Sequence, residues 1–151
     1  MSEFIPATFD VPLTVQFPGF RLEALGSEHN ERDHAAWTSS MDHIHATPGF
    51  EGHPWPMPMT LAENLADMEM HAREFDERTS FTWSILAASG DEVIGCVYLY
   101  PFDPPRPGRG RFRSWVTAAR AAEDAPIRDQ LDEWFAATLP IAVDRNWHAA
   151  P

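Results

Sequence analysis

A run of three predicted antiparallel strands in the middle of the chain constrains the fold most. Residues 80–88 and 92–100 are rich in β-branched, aromatic and aliphatic side chains, and the Ser-Gly-Asp between them is a hairpin signal. A third run, residues 111–117, follows a loop rich in Pro, Gly and Arg. Strands of this kind must bury at least one face, so the flanking segments decide the fold class.

Amphipathic helices are predicted on both sides of these strands. The clearest begins with a capping box, Thr60-Leu-Ala-Glu63, and its apolar residues recur every three or four positions as far as Phe75. Another begins near Pro126, which suits a first helical turn. An earlier helix, over about residues 28–44, follows a short strand at residues 20–25.

The remaining segments complete one domain of α+β class, a mostly antiparallel sheet with helices packed on it. Residues 1–19 carry three prolines and no helical period, which predicts an extended N-terminal arm before a single domain over residues 20–151. Residues 46–59, with two Gly and four Pro, form a long loop of the kind that often carries function. Residues 141–143 predict one more short strand.

The charge balance and the amino-acid usage exclude several classes of function. The formal net charge of −12 disfavours nucleic acid and anionic membranes as partners. All 11 basic residues are Arg, and without Lys neither Schiff-base nor P-loop chemistry is available. One cysteine, Cys96, indicates a reducing compartment. No apolar run nears the roughly 20 residues of a membrane helix, and the N-terminus lacks the basic start of a signal peptide. We therefore expect a cytoplasmic protein.

Histidine and aromatic residues are the candidates for chemistry. His45, whose unperturbed pKa lies near neutrality, is a candidate base, and Tyr98 is a candidate proton donor. His43, Trp37 and Trp55 are candidates for lining a substrate pocket.

A metal site at the histidines is not expected. His43 and His45 are two positions apart, which on a helix points their rings about 200° apart. They could share a zinc ion with Asp42 or His53 only if the helix ended near Asp42. A polar loop with solvent-facing histidines is the simpler interpretation.

Four of the arginines fall within eight residues: Arg106, Arg109, Arg111 and Arg113. In so acidic a chain this cluster could bind a phosphate-bearing ligand. It could equally be a solvated loop that balances acidic neighbours. The sequence leaves both interpretations open.

The element order and several short motifs resemble the GNAT (Gcn5-related) N-acetyltransferase family. Residues 21–25 (RLEAL), followed by Asn30-Glu-Arg-Asp33 and Ala36-Trp37, are similar to its first strand and helix. Residues 92–100 (EVIGCVYLY) resemble its central strand, and Ser114-Trp-Val-Thr117 resembles the stretch before its acetyl-CoA loop. The resemblance covers roughly residues 20–139 and rests on order and spacing.

This resemblance implies an acetyl-CoA-dependent N-acetyltransferase that acts on a small amine. The amine would enter near residues 37–60 and attack the thioester directly. The strand backbone that would bind the pantetheine arm is that of Trp115, Val116 and Thr117. The turn that would receive the pyrophosphate consists of Arg120, Ala121, Ala122, Glu123, Asp124 and Ala125.

The same turn supports an alternative function. The family has a Gly where Glu123 stands, and the carboxylates of Glu123 and Asp124 lie where phosphates would bind. Two unit charges at about 4 Å repel by about 1 to 4 kcal/mol near a surface. Asp124 is also a natural N-cap, and Pro126 removes one N–H donor. The alternative is a GNAT-like scaffold that no longer binds acetyl-CoA and serves as a ligand- or partner-binding module, or hosts another reaction. A Glu123 side chain that caps the helix would favour this alternative.

The C-terminal part of the family fold is shortened here. The family continues after the last predicted helix with several more elements, whereas residues 141–151 can supply one strand at most. A sheet edge would then be exposed, and exposed edges need covering. We therefore expect a homodimer that covers this edge.

Overall fold

The computed structural model describes residues 4–145, which form one six-stranded sheet with four α-helices. The strands follow each other across the sheet in chain order: β1 (Thr14–Gln16), β2 (Phe20–Ala24), β3 (Phe81–Ala87), β4 (Val93–Pro101), β5 (Arg109–Val116) and β6 (Ala142–Asp144). All neighbouring pairs are antiparallel except β5 and β6, which are parallel. The predicted α+β class with a mostly antiparallel sheet is confirmed.

The helices are α1 (Asn30–Thr38), α2 (Met41–His45), α3 (Leu61–Glu77) and α4 (Asp124–Thr138). Helix α3 begins with the predicted capping box: Glu63 N–H donates to Thr60 Oγ1 at 3.1 Å, and Thr60 N–H donates to Glu63 Oε1 at 2.8 Å. Short 3-10 segments precede α1 and α4, at Ser27–His29 and Ala118–Glu123.

The predicted long helix over residues 28–44 is wrong, because the chain turns between α1 and α2. Ser39 Oγ donates back to the Ala36 carbonyl at 2.9 Å, and Ser40 Oγ accepts a hydrogen bond from Ala118 N–H at 2.8 Å. Serine hydroxyls compete in this way with the helical backbone pattern. The break also ties α2 to the segment that follows β5.

Strand β1 was not predicted; it lies within the predicted arm and pairs with β2. Side chains from distant parts of the chain hold this region in place. Trp83 Nε1 donates to the Pro12 carbonyl at 2.9 Å, and the Arg78 guanidinium donates to the carbonyls of Pro6 and Phe9 at 3.0 and 2.8 Å. These contacts join residues about 70 positions apart, so local sequence patterns could not reveal them.

Two core clusters lie on opposite faces of the sheet. Along β4, Cys96 and Tyr98 belong to the cluster under α1 and the long loop, whereas Val97 and Leu99 belong to the cluster under α4. Gly95 allows β4 to approach β5 closely, since a Cβ at this position would collide with the Trp115 carbonyl oxygen.

Among residues 4–145, no helix has the length and apolar character needed to cross a membrane.

We expect Thr60→Ala to destabilise the protein by about 0.5–2 kcal/mol, because it removes one half of the α3 capping box. Urea unfolding monitored by circular dichroism measures this loss. Thr138→Ala, at the exposed end of α4, is the matched control and should change the free energy of unfolding by less than about 0.5 kcal/mol. Equal effects of the two substitutions would contradict the capping role.

Candidate functional site

A cavity of about 220 Å³ opens on the face of the sheet that α1 and α3 cover. We call it the central cavity. Its polar lining comes from α1, the long loop, α3, β4 and β5: Asp33, His53, Asn64, Asp67, His71, Tyr98, Tyr100 and Arg113. Phe50, Trp55, Met68 and Met70 supply most of the apolar lining.

Asp33, on α1, is a buried acid in the wall of the central cavity, 5% exposed. Asn64 Nδ2 donates to its Oδ2 at 3.1 Å, and the Cys96 thiol donates to its Oδ1 at 3.8 Å. Burial raises the pKa of Asp33 from 3.8 to about 6, because the carboxylate loses its hydration and these hydrogen bonds offset only part of that loss. No arginine within residues 4–145 forms an ion pair with it.

Asn64 connects α3 to α1 through a buried hydrogen-bond network. Its Nδ2 also donates to Asn30 Oδ1 at 2.9 Å, and its Oδ1 accepts a hydrogen bond from Trp37 Nε1 at 3.0 Å. Trp37 is 0% exposed, so the structure places it behind the cavity wall and not on its surface. Trp55, its neighbour at 5.5 Å between ring centroids, does line the cavity.

His71, on α3, stands between acidic and hydroxyl groups. Its Nδ1 lies 3.6 Å from Glu74 Oε1 and 3.4 Å from Thr82 Oγ1. Burial lowers the pKa of His71, and the charges of Glu74 and Asp67 act in the opposite direction. A carboxylate beside Nδ1 favours the tautomer with the proton on Nδ1, which leaves Nε2 as an acceptor.

Tyr98, a predicted proton donor, lines the central cavity from β4. Its hydroxyl oxygen accepts a hydrogen bond from Trp115 Nε1 at 2.9 Å. Burial raises the pKa of Tyr98 well above its usual value, so the hydroxyl keeps its proton near neutral pH.

Arg113, from β5, carries the positive charge of the cavity wall. Its guanidinium donates to the Gly49 carbonyl at 3.1 Å, contacts His53 Nε2 at 3.3 Å, and stacks over the Phe50 ring at 4.5 Å. These contacts fix its orientation. Burial and the neighbouring Arg113 charge lower the pKa of His53. Of the predicted arginine cluster, Arg113 alone lines the central cavity.

Strand β5 is paired along nearly the whole of one edge and along only part of the other. Residues Gly110–Val116 pair with β4, but only Arg109–Arg111 pair with β6. Thr117 N–H donates to the Ile94 carbonyl on the β4 side, so by alternation the backbone groups of Ser114 and Val116 face away from β4. Within residues 4–145 they have no strand partner there. The Ser114 hydroxyl is buried and has no hydrogen-bond partner.

The carboxylates of Glu123 and Asp124 do not cap α4. Arg120 Nη1 contacts Glu123 Oε2 at 3.2 Å, and Arg120 Nη2 lies 3.5 Å from Glu92 Oε1. Asp124 is the first residue of α4 and pairs with Arg128 one turn later. Burial raises the pKa of Asp124 despite that arginine. The expectation that Asp124 would be the N-cap is therefore wrong. Both acids have cationic partners that were not predicted from the sequence.

The structure does not bring His43 and His45 to the central cavity. His45 Nε2 donates to the Pro56 carbonyl at 2.6 Å, which ties α2 to the long loop. His43 is half-buried, and its charge acts on Asp124 near the start of α4. No cluster of three His, Cys, Asp or Glu side chains suited to a metal ion occurs in the part of the chain from residue 4 to residue 145.

The chain is similar in three dimensions to acetyltransferases. One is the Salmonella typhimurium enzyme that modifies the N-terminal serine of ribosomal protein L7/L12, with a TM-score of 0.59, 11% identity, 84% of this chain covered and 67% of the other. Another is the GNAT domain of S. lividans PAT, with a TM-score of 0.59, 15% identity and coverages of 85% and 74%. This chain has the GNAT fold.

A third GNAT-fold neighbour is the microcin C7 self-immunity acetyltransferase MccE, solved with acetyl-CoA and AMP. It has a TM-score of 0.62, 9% identity, and coverages of 82% of this chain and 66% of the other. The chain thus spans roughly two thirds of the length of such proteins. No family model matches the sequence, and no curated protein matches it.

The polar residues that line the cavity from the helices were not predicted from the sequence. The apolar residues that recur along α3 begin with Leu61, but Leu61 is exposed, and the buried face follows Asn64, Met68 and Phe75 instead. His71, on the same helix, also lines the central cavity. The signal that could have indicated Asn64 was its helical spacing from Met68, four positions later on the same face of α3.

We expect Asp33→Asn to stabilise the protein in a pH-dependent way. The unfolded chain releases this proton near pH 3.8 and the folded protein near pH 6, so ionisation of Asp33 lowers the free energy of unfolding as the pH rises through that window. Relative to the unmodified protein, the variant should gain on the order of 2–3 kcal/mol between pH 4 and pH 8. Urea unfolding at both pH values measures this, and a pH-independent difference would contradict the burial of a charge.

Proposed function

We propose that the protein is an acetyl-CoA-dependent N-acetyltransferase that acetylates a small amine in the central cavity. The observation that carries the proposal is the position of β5. Its face contributes Arg113 to the cavity wall, and within residues 4–145 its edge has no strand partner from Phe112 to Val116, because β6 pairs only with its first three residues. One strand thus offers an edge to one ligand and a side-chain face to another.

The groups on β5 fit the acetyl-CoA arm in chemistry. The backbone of Ser114 and Val116 can bind the amides of the pantetheine arm as an added strand would. The buried Ser114 hydroxyl lacks a partner and suits a polar group of a ligand. Arg120, just after the strand, suits a phosphate.

The acidic residues at the start of α4 oppose this proposal less than their charges suggest. Glu123 is neutralised by Arg120 in a partly exposed pair, and Asp124 is paired with Arg128. Exposed ion pairs contribute about 0–1 kcal/mol, so a phosphate can replace the Glu123 carboxylate at Arg120 at small cost. This favours acetyl-CoA binding over the alternative of a scaffold that has lost it.

His71 is the proposed base. Bound acetyl-CoA supplies an acetyl group activated as a thioester, which a neutral amine attacks. His71, kept neutral by burial and oriented by Glu74, accepts the ammonium proton at Nε2. Tyr98, which keeps its proton, is the group that can donate to the leaving thiolate.

A homodimer that covers a sheet edge remains a prediction. A second copy that paired with residues 112–116 of β5 would use the same backbone groups as the proposed pantetheine arm. The two occupants therefore exclude each other, and saturating acetyl-CoA should dissociate any dimer of this kind.

Calorimetric titration with acetyl-CoA tests the cofactor. We expect binding in the micromolar range, weakened about tenfold or more by Arg120→Gln, which removes a charged hydrogen bond to phosphate. Glu123→Gln should strengthen binding about two- to fivefold, because it frees Arg120. Glu69→Gln, an exposed change on α3, is the matched control. No binding at millimolar acetyl-CoA would support the scaffold alternative.

Turnover of a panel of primary amines, followed by CoA release, tests the base. His71→Gln should lower kcat on the order of 100-fold and leave acetyl-CoA binding unchanged. Because burial lowers the pKa of His71, the activity of the unmodified protein should rise through a pKa below about 6.5 and then level off. A pH dependence that survives in His71→Gln and disappears in His45→Gln would return the role to His45.

A further inference from the structure

The central cavity carries opposite charges at separate positions along β4. Asp33 contacts Cys96, whereas the Arg113 guanidinium lies 5.6 Å from the Tyr98 ring centroid and 5.8 Å from that of Tyr100. These β4 residues lie on one face at alternate positions, so the charges are two to four residues apart along the strand. At about 3.3 Å per residue, the separation is roughly 7–13 Å.

The acidic end suits an ammonium group. Asp33 is buried, has no arginine partner within residues 4–145, and faces a cavity that Asp67 also lines. A buried carboxylate is costly unless a cation compensates it. The ammonium group of a ligand in the cavity would provide that compensation. It would then share the cavity with His71, the proposed base.

The basic end suits a carboxylate. Arg113 is held against Phe50 and the Gly49 carbonyl, so its guanidinium is preorganised before a ligand arrives. A planar guanidinium matches a carboxylate better than any other side chain does.

We propose that the central cavity binds an aminocarboxylate of amino-acid size, with its ammonium at Asp33 and its carboxylate at Arg113. A charged hydrogen bond of about 2.8 Å at each end takes up part of the distance between Asp33 and Arg113. The distance that remains fits only a short carbon skeleton between the ammonium and the carboxylate of the ligand. The volume of about 220 Å³ also suits a molecule of this size. The apolar wall of Phe50, Trp55 and Met68 accommodates a hydrophobic side chain. The further statement that this aminocarboxylate is the acetyl acceptor rests on the proposed function.

This assignment separates free amino acids from peptide N-termini. In a peptide the carboxylate next to the amine is replaced by an amide, which has no charge to offer Arg113. A plain amine likewise has no carboxylate to offer Arg113. The proposal therefore predicts rejection of both, although each presents the same reacting nitrogen.

The test is calorimetric titration of the full chain without acetyl-CoA, using the common amino acids in matched sets. Each amino acid is compared with its amide, which lacks the carboxylate, and with the corresponding carboxylic acid, which lacks the amine. We expect at least one amino acid to bind on the order of tenfold or more tighter than both analogues.

Substitutions assign the two ends through ratios measured within each variant, so a general loss of stability does not imitate the result. Arg113→Gln should abolish discrimination against the amide, and Arg113→Lys should restore part of it. Asp33→Asn should abolish discrimination against the acid that lacks the amine. Arg73→Gln, an exposed arginine on α3 outside the cavity wall, should preserve both ratios.

Three results overturn the proposal. Equal affinity for amino acid and amide would make the ligand a simple amine or a peptide N-terminus. Absence of binding across the panel would show that the cavity is not an aminocarboxylate site. Affinity ratios that do not change on substitution of Asp33 and Arg113 would show the same. Amino-acid binding in a protein that does not bind acetyl-CoA would support the aminocarboxylate site and contradict only the proposed function.

Discussion

The unequal pairing of β5 on its two sides underlies the rest of the structure. On one side it forms a ladder of seven residue pairs with β4, held close because Gly95 has no side chain to meet the Trp115 carbonyl. On the other side β6 pairs with three residues. The long ladder fixes Arg113 and Trp115 beside Tyr98, and the short one leaves the backbone of Ser114 and Val116 without a strand partner on that side among residues 4–145. A symmetric sheet would provide the cavity wall but no edge for a second ligand.

The helices on the cavity side depend on a buried polar network more than on apolar packing alone. Asn64 links Asn30, Asp33 and Trp37, and so fixes the position of α3 relative to α1. A half-satisfied network of this kind would cost more than an apolar contact of similar shape. The network also explains why a carboxylate can remain in the wall: the amide and thiol donors lower the cost of its burial without neutralising its charge.

The sequence predicted those elements whose signals are local. The α3 capping box, the β3–β4 hairpin and the start of α4 near Pro126 depend on residues a few positions apart. The break at Ser39 and Ser40 and the strand β1 depend on Ala118 and Trp83, which are distant in sequence. The same division holds in the site. Tyr98 and Trp55 were predicted from their residue types, and both line the cavity. Asn64 and His71 could not be assigned to the site until the orientation of α3 was known. His45 had suitable chemistry, yet its Nε2 is engaged by the Pro56 carbonyl.

The exclusive use of arginine as the basic residue has a physical consequence at Arg113. Burial lowers the pKa of this guanidinium, but an arginine pKa starts so far above neutrality that the group stays charged near neutral pH. A lysine amine starts about two units lower and loses its proton more readily when buried. Asp33, with a pKa of about 6, is mostly ionised under the same conditions. The two ends of the central cavity therefore keep opposite charges near neutral pH, although neither neutralises the other. A ligand that carries both charges can interact with the two ends at once, whereas a ligand with one charge interacts with only one of them.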